Sequence, residues 1–143
     1  MSVEINYLAV LASGISNIIV GFLWYGPLFG KPWASMMGLN FDSPEAMKEM
    51  QKKAIPGYIG SFIGALVMAY VLSHSITFAS SYMNVSGYGA GLSSAFWMWL
   101  GFIAPVTVGV VFWDRKPWKL WFINGGYWLV TLLIMGVILA VWR

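Results

Sequence analysis

The chain has 143 residues, of which 59% are hydrophobic and only 9% are charged, and its mean hydropathy is +0.74. Because about 25% of the residues of a soluble domain are charged, this composition excludes a water-soluble enzyme, a nucleic-acid-binding protein and a disordered chain. The sequence contains no cysteine, which excludes disulfide bonds, thiol catalysis and thiolate metal sites. These properties predict an all-α, polytopic integral membrane protein.

Long uncharged stretches define the predicted spans. A membrane-spanning helix needs about 20 apolar residues, and the uncharged stretches at the two ends of the sequence each fit one helix, while the central stretch fits two. We therefore predict a single membrane domain over residues 1–143. Its four spans are predicted at about 4–29, 55–78, 92–113 and 119–142. The glycine-rich segment between the second and third spans, residues 87–91, is predicted to form a flexible turn.

The longest polar segment lies between the first two spans, and it predicts a short amphipathic helix over residues 43–54. Ser43 is a favourable N-cap, Pro44 suits a first helical turn, and Glu45 complements the helix dipole. The methionines of the segment fall on a different face from its charged residues, as expected for a helix lying at the membrane surface. A solvated connector is the alternative. Pro56 then allows a sharp bend into the second span.

Basic residues are concentrated in two predicted loops, which sets the expected orientation. Those in or beside these loops are Lys31, Lys48, Lys52, Lys53, Arg115, Lys116 and Lys119, whereas only Arg143 falls on the opposite side. Basic loops of membrane proteins face the cytoplasm. The loops near 31–53 and 114–118 are therefore predicted to be cytoplasmic, with both termini outside. Tyrosine and tryptophan residues cluster near the predicted span ends as an aromatic belt, while Trp97, Trp99 and Trp128 are expected to pack between helices.

Small residues within the spans predict where helices pack closely. The residues expected at helix contacts are Gly14, Gly21, Gly57, Gly60, Ser61, Gly64, Ala65, Ala69, Gly125, Gly126, Gly136 and Ala140. They include a Gly60-x-x-x-Gly64 pair, and their number predicts a homo-oligomer. Pro105 is expected to kink the third span.

Uncharged polar side chains within the spans are the candidate ligand-binding residues. Ser61, Thr107, Asn124 and Tyr127 are predicted to converge on one cavity in the cytoplasmic half, with Tyr25 nearer the surface and Asn17 in a second polar tier. Hydrogen bonding between helices is the alternative role for these groups. The only ionisable residue well within a span is His74, for which we expect a structural role. We predict no catalytic residues, no metal site and no cofactor.

Five segments resemble a known family. They are Leu23-Trp-Tyr-Gly-Pro-Leu-Phe-Gly-Lys-Pro-Trp33, Met37-Gly-Leu39, Ala69-Tyr-Val-Leu72, Ile123-Asn-Gly-Gly-Tyr-Trp-Leu129 and Met135-Gly136. Together, in this order, they resemble the uncharacterised bacterial membrane family called domain of unknown function 1761. The resemblance implies four spans and a bacterial inner membrane location. It implies no particular activity.

Two hypotheses for function follow. The first is a small channel, transporter or membrane-embedded binder of a neutral or lipid-like molecule. The second is a structural or accessory subunit that docks other membrane proteins or lipids. An enzyme is not expected. The expected partners are membrane lipids, further copies of the chain and other membrane subunits, and no nucleic acid.

Overall fold

A computed structural model describes residues 3–39 and 42–143, and the regular structure of those residues is entirely helical. The helices are α1 (Tyr7–Leu28), α2 (Gly30–Met36), α3 (Pro44–Met83), α4 (Tyr88–Phe112) and α5 (Trp118–Val141). All except α2 are long and apolar enough to cross a membrane. The all-α class and the four long apolar helices predicted from the sequence are therefore confirmed. The predicted loop 31–53 includes residues 40 and 41, which lie outside the described residues.

The helix directions give the bundle two distinct ends. We call the end that holds the α1–α3 and α4–α5 connections the basic end, because most lysine and arginine residues lie there. The opposite end, with the start of α1, the end of α5 and the loop 84–87, is called the terminal end. On the bundle exterior, large apolar side chains such as Phe22, Val67, Phe102 and Phe122 are exposed. This apolar exterior is compatible with a multi-pass membrane protein.

Helix α5 is the central element, because it packs against α1, α3 and α4. Its closest approach is to α4, where Gly91 and Gly136 bring the two backbones into contact. A Cβ atom added to either glycine would overlap the carbonyl oxygen of the other. The predicted flexible turn over residues 87–91 is therefore wrong: α4 begins at Tyr88, and Gly91 is a buried packing position. A glycine within a helix permits this approach as readily as one in a turn.

Helix α3 is one continuous helix of 40 residues, about 60 Å long by helical rise. The prediction of a separate amphipathic helix at 43–54 is therefore wrong, because the helix continues through Pro56 into the second span. The Ser43 cap is confirmed, since its Oγ accepts a hydrogen bond from the Ala46 amide at 3.1 Å. Pro56 is tolerated inside the helix because residues 55–61 are exposed, so a lost backbone hydrogen bond there does not disrupt a packed core.

The first half of α3 is largely exposed. None of its residues 44–64 is buried, whereas Ala65, Ala69, Leu72 and Ile76 of the second half are. Contrary to the packing prediction, Gly57, Gly60 and Gly64 have open space beside them. Gly64 precedes the buried Ala65 by one residue, and one residue corresponds to about 100° around a helix. The buried row thus runs along a different face from the glycines.

Helices α1 and α4 each contain a π-helical turn next to a proline. The first spans Trp24–Leu28 and includes Pro27, and the Phe29 amide donates to the Trp24 carbonyl oxygen at 2.8 Å. The second spans Trp99–Ile103, just before Pro105. The helix is irregular near Pro105, and the irregularity begins before the proline, while the kink expected there stays a prediction. A π-turn relieves the clash that proline makes with the preceding helical turn.

Candidate functional site

A cleft of about 620 Å³ lies at the basic end of the bundle, between α1–α2 on one side and α4–α5 on the other. This volume falls within the range of small-molecule sites, about 300–1,000 Å³. Most of the lining is apolar, and much of it is aromatic. The aromatic lining residues are Tyr25, Trp33, Trp113, Trp121 and Trp128. The lining includes no residue of α3 among those that the structure describes, because α3 leaves the bundle at this end.

The polar centre of the cleft is a hydrogen-bonded pair formed by Tyr25 and Asn124. The Tyr25 hydroxyl donates to Asn124 Oδ1 at 2.8 Å. The Tyr25 ring also meets the edge of the Trp33 ring, with 5.2 Å between centroids. Asn124 Nδ2 makes no hydrogen bond within residues 3–39 and 42–143. The amide is thus fixed through its oxygen, and two N–H groups are left at a half-buried position.

Thr107 forms a second polar point of the lining. Its hydroxyl donates to the Ile103 carbonyl oxygen at 2.7 Å and accepts a hydrogen bond from Trp121 Nε1 at 3.1 Å. The hydroxyl therefore fixes the position of an indole ring in the cleft wall. The structure brings together three of the predicted site residues, namely Tyr25, Thr107 and Asn124.

Tyr127 and Asn17 form a separate pair in the middle of the bundle. The Tyr127 hydroxyl donates to Asn17 Oδ1 at 2.7 Å, and both side chains are buried. Neither residue lines the cleft. Tyr127 follows Asn124 by three residues and lies on a similar face of α5, and its ring packs against the Tyr25 ring with 5.2 Å between centroids, but its hydroxyl is bound by Asn17 on α1. The predicted convergence of Tyr127 with Asn124 and Thr107 in one cavity is therefore wrong.

Ser61 does not reach the cleft either. It lies on the exposed first half of α3, and it is not a lining residue. Depth along a helix places Ser61 at a level similar to that of Asn124, but depth carries no information on how far two helices diverge. The predicted convergence of Ser61 on this cavity is wrong for that reason.

Residues 8–140 match the model of a family described as protein of unknown function (DUF1761). The chain belongs to this family. No match is found among curated proteins or among solved structures. The family is one of unknown function, so membership assigns no activity to this chain.

Two tryptophans that the sequence analysis did not assign to the site hold the DUF1761 cleft in shape. Trp24 Nε1 donates to the Ile123 carbonyl oxygen at 2.9 Å, and Trp99 Nε1 donates to the Gly125 carbonyl oxygen at 2.8 Å. Both tryptophans are the first residues of the π-turns. They are matched by a glycine pair on α5, since a Cβ at Gly126 would lie 3.2 Å from Trp24 Cζ2. The sequence signal that could have indicated these tryptophan contacts is the pair Gly125–Gly126 next to the polar residue Asn124.

The predicted interhelical tryptophans divide into two groups. Trp99 and Trp128 are half-buried, but Trp97 is 64% exposed. The prediction for Trp97 is therefore wrong, because Trp97 lies on the exposed face of α4. His74 Nδ1 lies 2.9 Å from the Tyr70 carbonyl oxygen of its own helix. Across the described ranges, no three His, Asp or Glu residues are grouped closely enough to hold a metal ion.

Proposed function

We propose that this DUF1761 protein is a membrane-embedded binding protein that takes a small neutral or lipid-like molecule into the cleft at its basic end. The observation that carries the proposal is the state of Asn124. Its oxygen is held by Tyr25, whereas its amide nitrogen lies in the lining of an open aromatic cleft without a hydrogen bond from any described residue. Such a site combines apolar walls with a few fixed polar groups, as ligand sites do.

A binding role explains the position of Asn124 at the basic end better than a role in joining helices does. Hydrogen bonding that serves only to join helices should be buried, as it is at Asn17, which is 1% exposed. Asn124 also joins two helices, but it does so at the wall of a cleft. The ligand would complete the polar pairing that the protein leaves open.

The closed terminal half favours a binding protein over a channel. Past the Asn17–Tyr127 pair, α4 and α5 are in backbone contact at Gly91 and Gly136, and Leu132, Met135 and Leu139 are buried. Moving a solute through this region would require the helices to separate. The cleft lining contains one carboxylate, Asp114, and no histidine, which is a poor set for proton-coupled transport or for acid–base catalysis.

We place the basic end in the cytoplasm and both termini outside, in a bacterial inner membrane, following the distribution of basic residues. The chain has no native cysteine, so single cysteines at the exposed residues Ser35 and Ser86 can report the two sides. An impermeant thiol reagent added to intact cells should label Ser86→Cys and leave Ser35→Cys unlabelled. Labelling of both variants from one side would contradict this arrangement.

The binding proposal is tested by the change Asn124→Leu, with Tyr25→Phe as its matched control. Both variants lose the same hydrogen bond, but only Asn124→Leu loses the free amide N–H groups. Retention of the co-purifying small molecule, measured by native mass spectrometry, should fall about three- to tenfold in Asn124→Leu, because a hydrogen bond contributes about 0.5–1.5 kcal/mol. Tyr25→Phe should retain the molecule more strongly than Asn124→Leu does.

Two results would contradict the binding proposal. One is equal retention in both variants and in the unchanged protein. The other is a loss of thermal stability in Asn124→Leu that matches the loss in Tyr25→Phe, with no molecule retained by any of the three proteins. In that case the Asn124 amide would serve only to join α1 to α5.

A role as a structural or accessory subunit is supported by a different observation, which is the exposed first half of α3. Ile55, Ile59 and Ile63 are exposed there, next to the open glycines of the same helix. Such a surface allows another helix to approach closely. The occupants it would admit are a second copy of this chain, another membrane subunit or lipid.

A further inference from the structure

The charge of the cleft lining narrows the class of ligand. Among the described residues, the lining contains one ionic group, the carboxylate of Asp114, and neither lysine nor arginine. The basic residues of this end lie around the cleft rather than in it. Lys116, which follows Asp114 by two residues, directs its Nζ to the Met36 carbonyl oxygen at 3.4 Å. A cation that enters the cleft therefore meets a negative group.

Asp114 is free to meet such a cation. In the part of the chain that the structure describes, the single ion pair joins Lys53 to Glu49 on α3. Asp114 is exposed and forms no ion pair within the described residues, although Arg115 and Lys116 follow it directly. Arg115 adopts a left-handed conformation, with φ of 53°, where the chain reverses between α4 and α5.

The rings of the lining supply the second half of a cation site. Trp33, Trp121, Trp128 and Tyr25 are half-buried, and Trp113 stands at the rim, 87% exposed. Aromatic faces attract cations, tryptophan most strongly, and groups of such faces recognise alkylated ammonium ions. The Trp121 ring is held by Thr107, and the Tyr25 ring by Asn124. Fixed rings lose little freedom when a ligand binds.

We infer that the cleft binds the alkylammonium group of its ligand, between the Asp114 carboxylate and the aromatic walls. This inference rests on the proposed binding function and changes one part of it, because it replaces an uncharged ligand with a lipid-like or small molecule that carries an alkylated ammonium group. An alkylated ammonium ion suits this lining because it needs few hydrogen-bond acceptors, and both Asn124 Oδ1 and Thr107 Oγ1 already accept hydrogen bonds from the protein. The free Asn124 amide would donate to an oxygen atom next to the ammonium group.

The test compares choline with 3,3-dimethylbutan-1-ol, in which carbon replaces the charged nitrogen. Binding of each compound to the full chain in maltoside micelles is measured by calorimetry. Choline should bind at least about tenfold more tightly than its neutral isostere, which corresponds to about 1.4 kcal/mol. Asp114→Asn should remove most of that preference. Asp42→Asn, which removes the same charge from an exposed site outside the cleft, should leave it unchanged.

The aromatic contribution is tested at Trp33. Trp33→Leu should weaken choline binding and leave the neutral isostere unaffected, and Trp33→Phe should restore part of the affinity because a ring face returns. Loss of binding of both compounds in Trp33→Leu would indicate a change of cleft shape and would contradict the cation site.

A second arm separates a free solute from a lipid headgroup. The protein is titrated with phosphatidylcholine and with phosphatidylglycerol, and retained lipid is measured by native mass spectrometry. Retention of phosphatidylcholine, lost in Asp114→Asn, supports a headgroup source, and choline binding alone supports a soluble source. Preferential retention of phosphatidylglycerol would overturn the inference. Equal binding of choline and its isostere, still dependent on Asn124, would also overturn it while the proposed binding function stands.

Discussion

The same helices pack in opposite ways at the two ends of the bundle. At the terminal end, α4 and α5 meet backbone to backbone at Gly91 and Gly136, and small or aliphatic side chains fill the remaining space. At the basic end, α5 again presents two glycines, but tryptophan rings from α1 and α4 occupy the space beside them. The glycine of α5 in the terminal half therefore allows two helices to touch. The glycines of α5 in the basic half leave room for indole rings, which hold the helices apart.

This difference explains why a cleft forms only at the basic end. Helix α3 completes the core with Ala65, Ala69, Leu72 and Ile76, all of which lie toward the terminal end. Once α3 leaves the bundle, α1 and α4 are connected through α5 alone. The indole rings of Trp24 and Trp99 then keep the walls of the cleft apart. A binding site in this fold is thus a region where packing is incomplete and is supported by hydrogen bonds.

The largest expected effect is at the glycine contact of the terminal half. Gly91→Ala should lower the free energy of unfolding by about 3 kcal/mol, because the added methyl group overlaps the Gly136 carbonyl and forces α4 away from α5. Thermal unfolding in detergent measures this change. Gly26→Ala, at an exposed position with no atom within 4 Å of the added Cβ, is the matched control. A similar small effect for both variants would show that the two helices are not in backbone contact.

A smaller effect is expected at the pair between the two halves. Tyr127→Phe should destabilise the protein by about 1–2 kcal/mol, because it leaves the buried Asn17 amide without its partner. The Asn17 Nδ2 atom already lacks a partner among the described residues. Adding Asn17→Leu to Tyr127→Phe should therefore recover part of the lost stability, since replacing both partners removes the unpaired groups. If the losses in the double variant simply add, the two side chains do not form a hydrogen-bonded pair.

The smallest effect on stability is expected on the open face of α3. Gly60→Leu should leave the folded monomer intact, because nothing lies within 4 Å of an added Cβ. If this face joins copies of the chain, the variant should lower the native mass of the assembly without lowering thermal stability. Gly14→Leu serves as the contrast, since its Cβ would lie 2.7 Å from Leu66 Cδ2 inside the bundle and should destabilise it. An unchanged native mass in Gly60→Leu would leave this face to lipid or to another subunit.

The sequence predicted the long apolar helices well because their signal is local. Uncharged stretches and the Ser43 cap depend only on neighbouring residues, and the structure contains both. The contacts of each helix were harder to predict because they depend on how helices diverge. Gly60 and Gly64 have the spacing of a packing motif but lie on an exposed face, whereas Gly91, in a segment interpreted as a turn, makes the closest helix contact.

The candidate site was predictable in part for the same reason. Depth along each span placed Tyr25, Thr107 and Asn124 near one another, and the structure brings these three into one cleft. Depth could not show that Tyr127 turns toward Asn17 or that Ser61 leaves with α3. Nor could it reveal that Trp24 and Trp99 support the walls. These facts depend on helix rotation and on partners that are distant in sequence.

The paired π-turns carry a further consequence for how this protein tolerates insertions and deletions. A π-turn contains one residue more than the α-helical path it replaces, and one residue rotates the rest of a helix by about 100°. The turn at Trp99–Ile103 precedes Thr107 on its helix. Deleting a single residue there would restore a regular α-helix and swing Thr107 away from Trp121, with no change in composition. The spacing of residues in these two segments is therefore under tighter constraint than the identity of most of them.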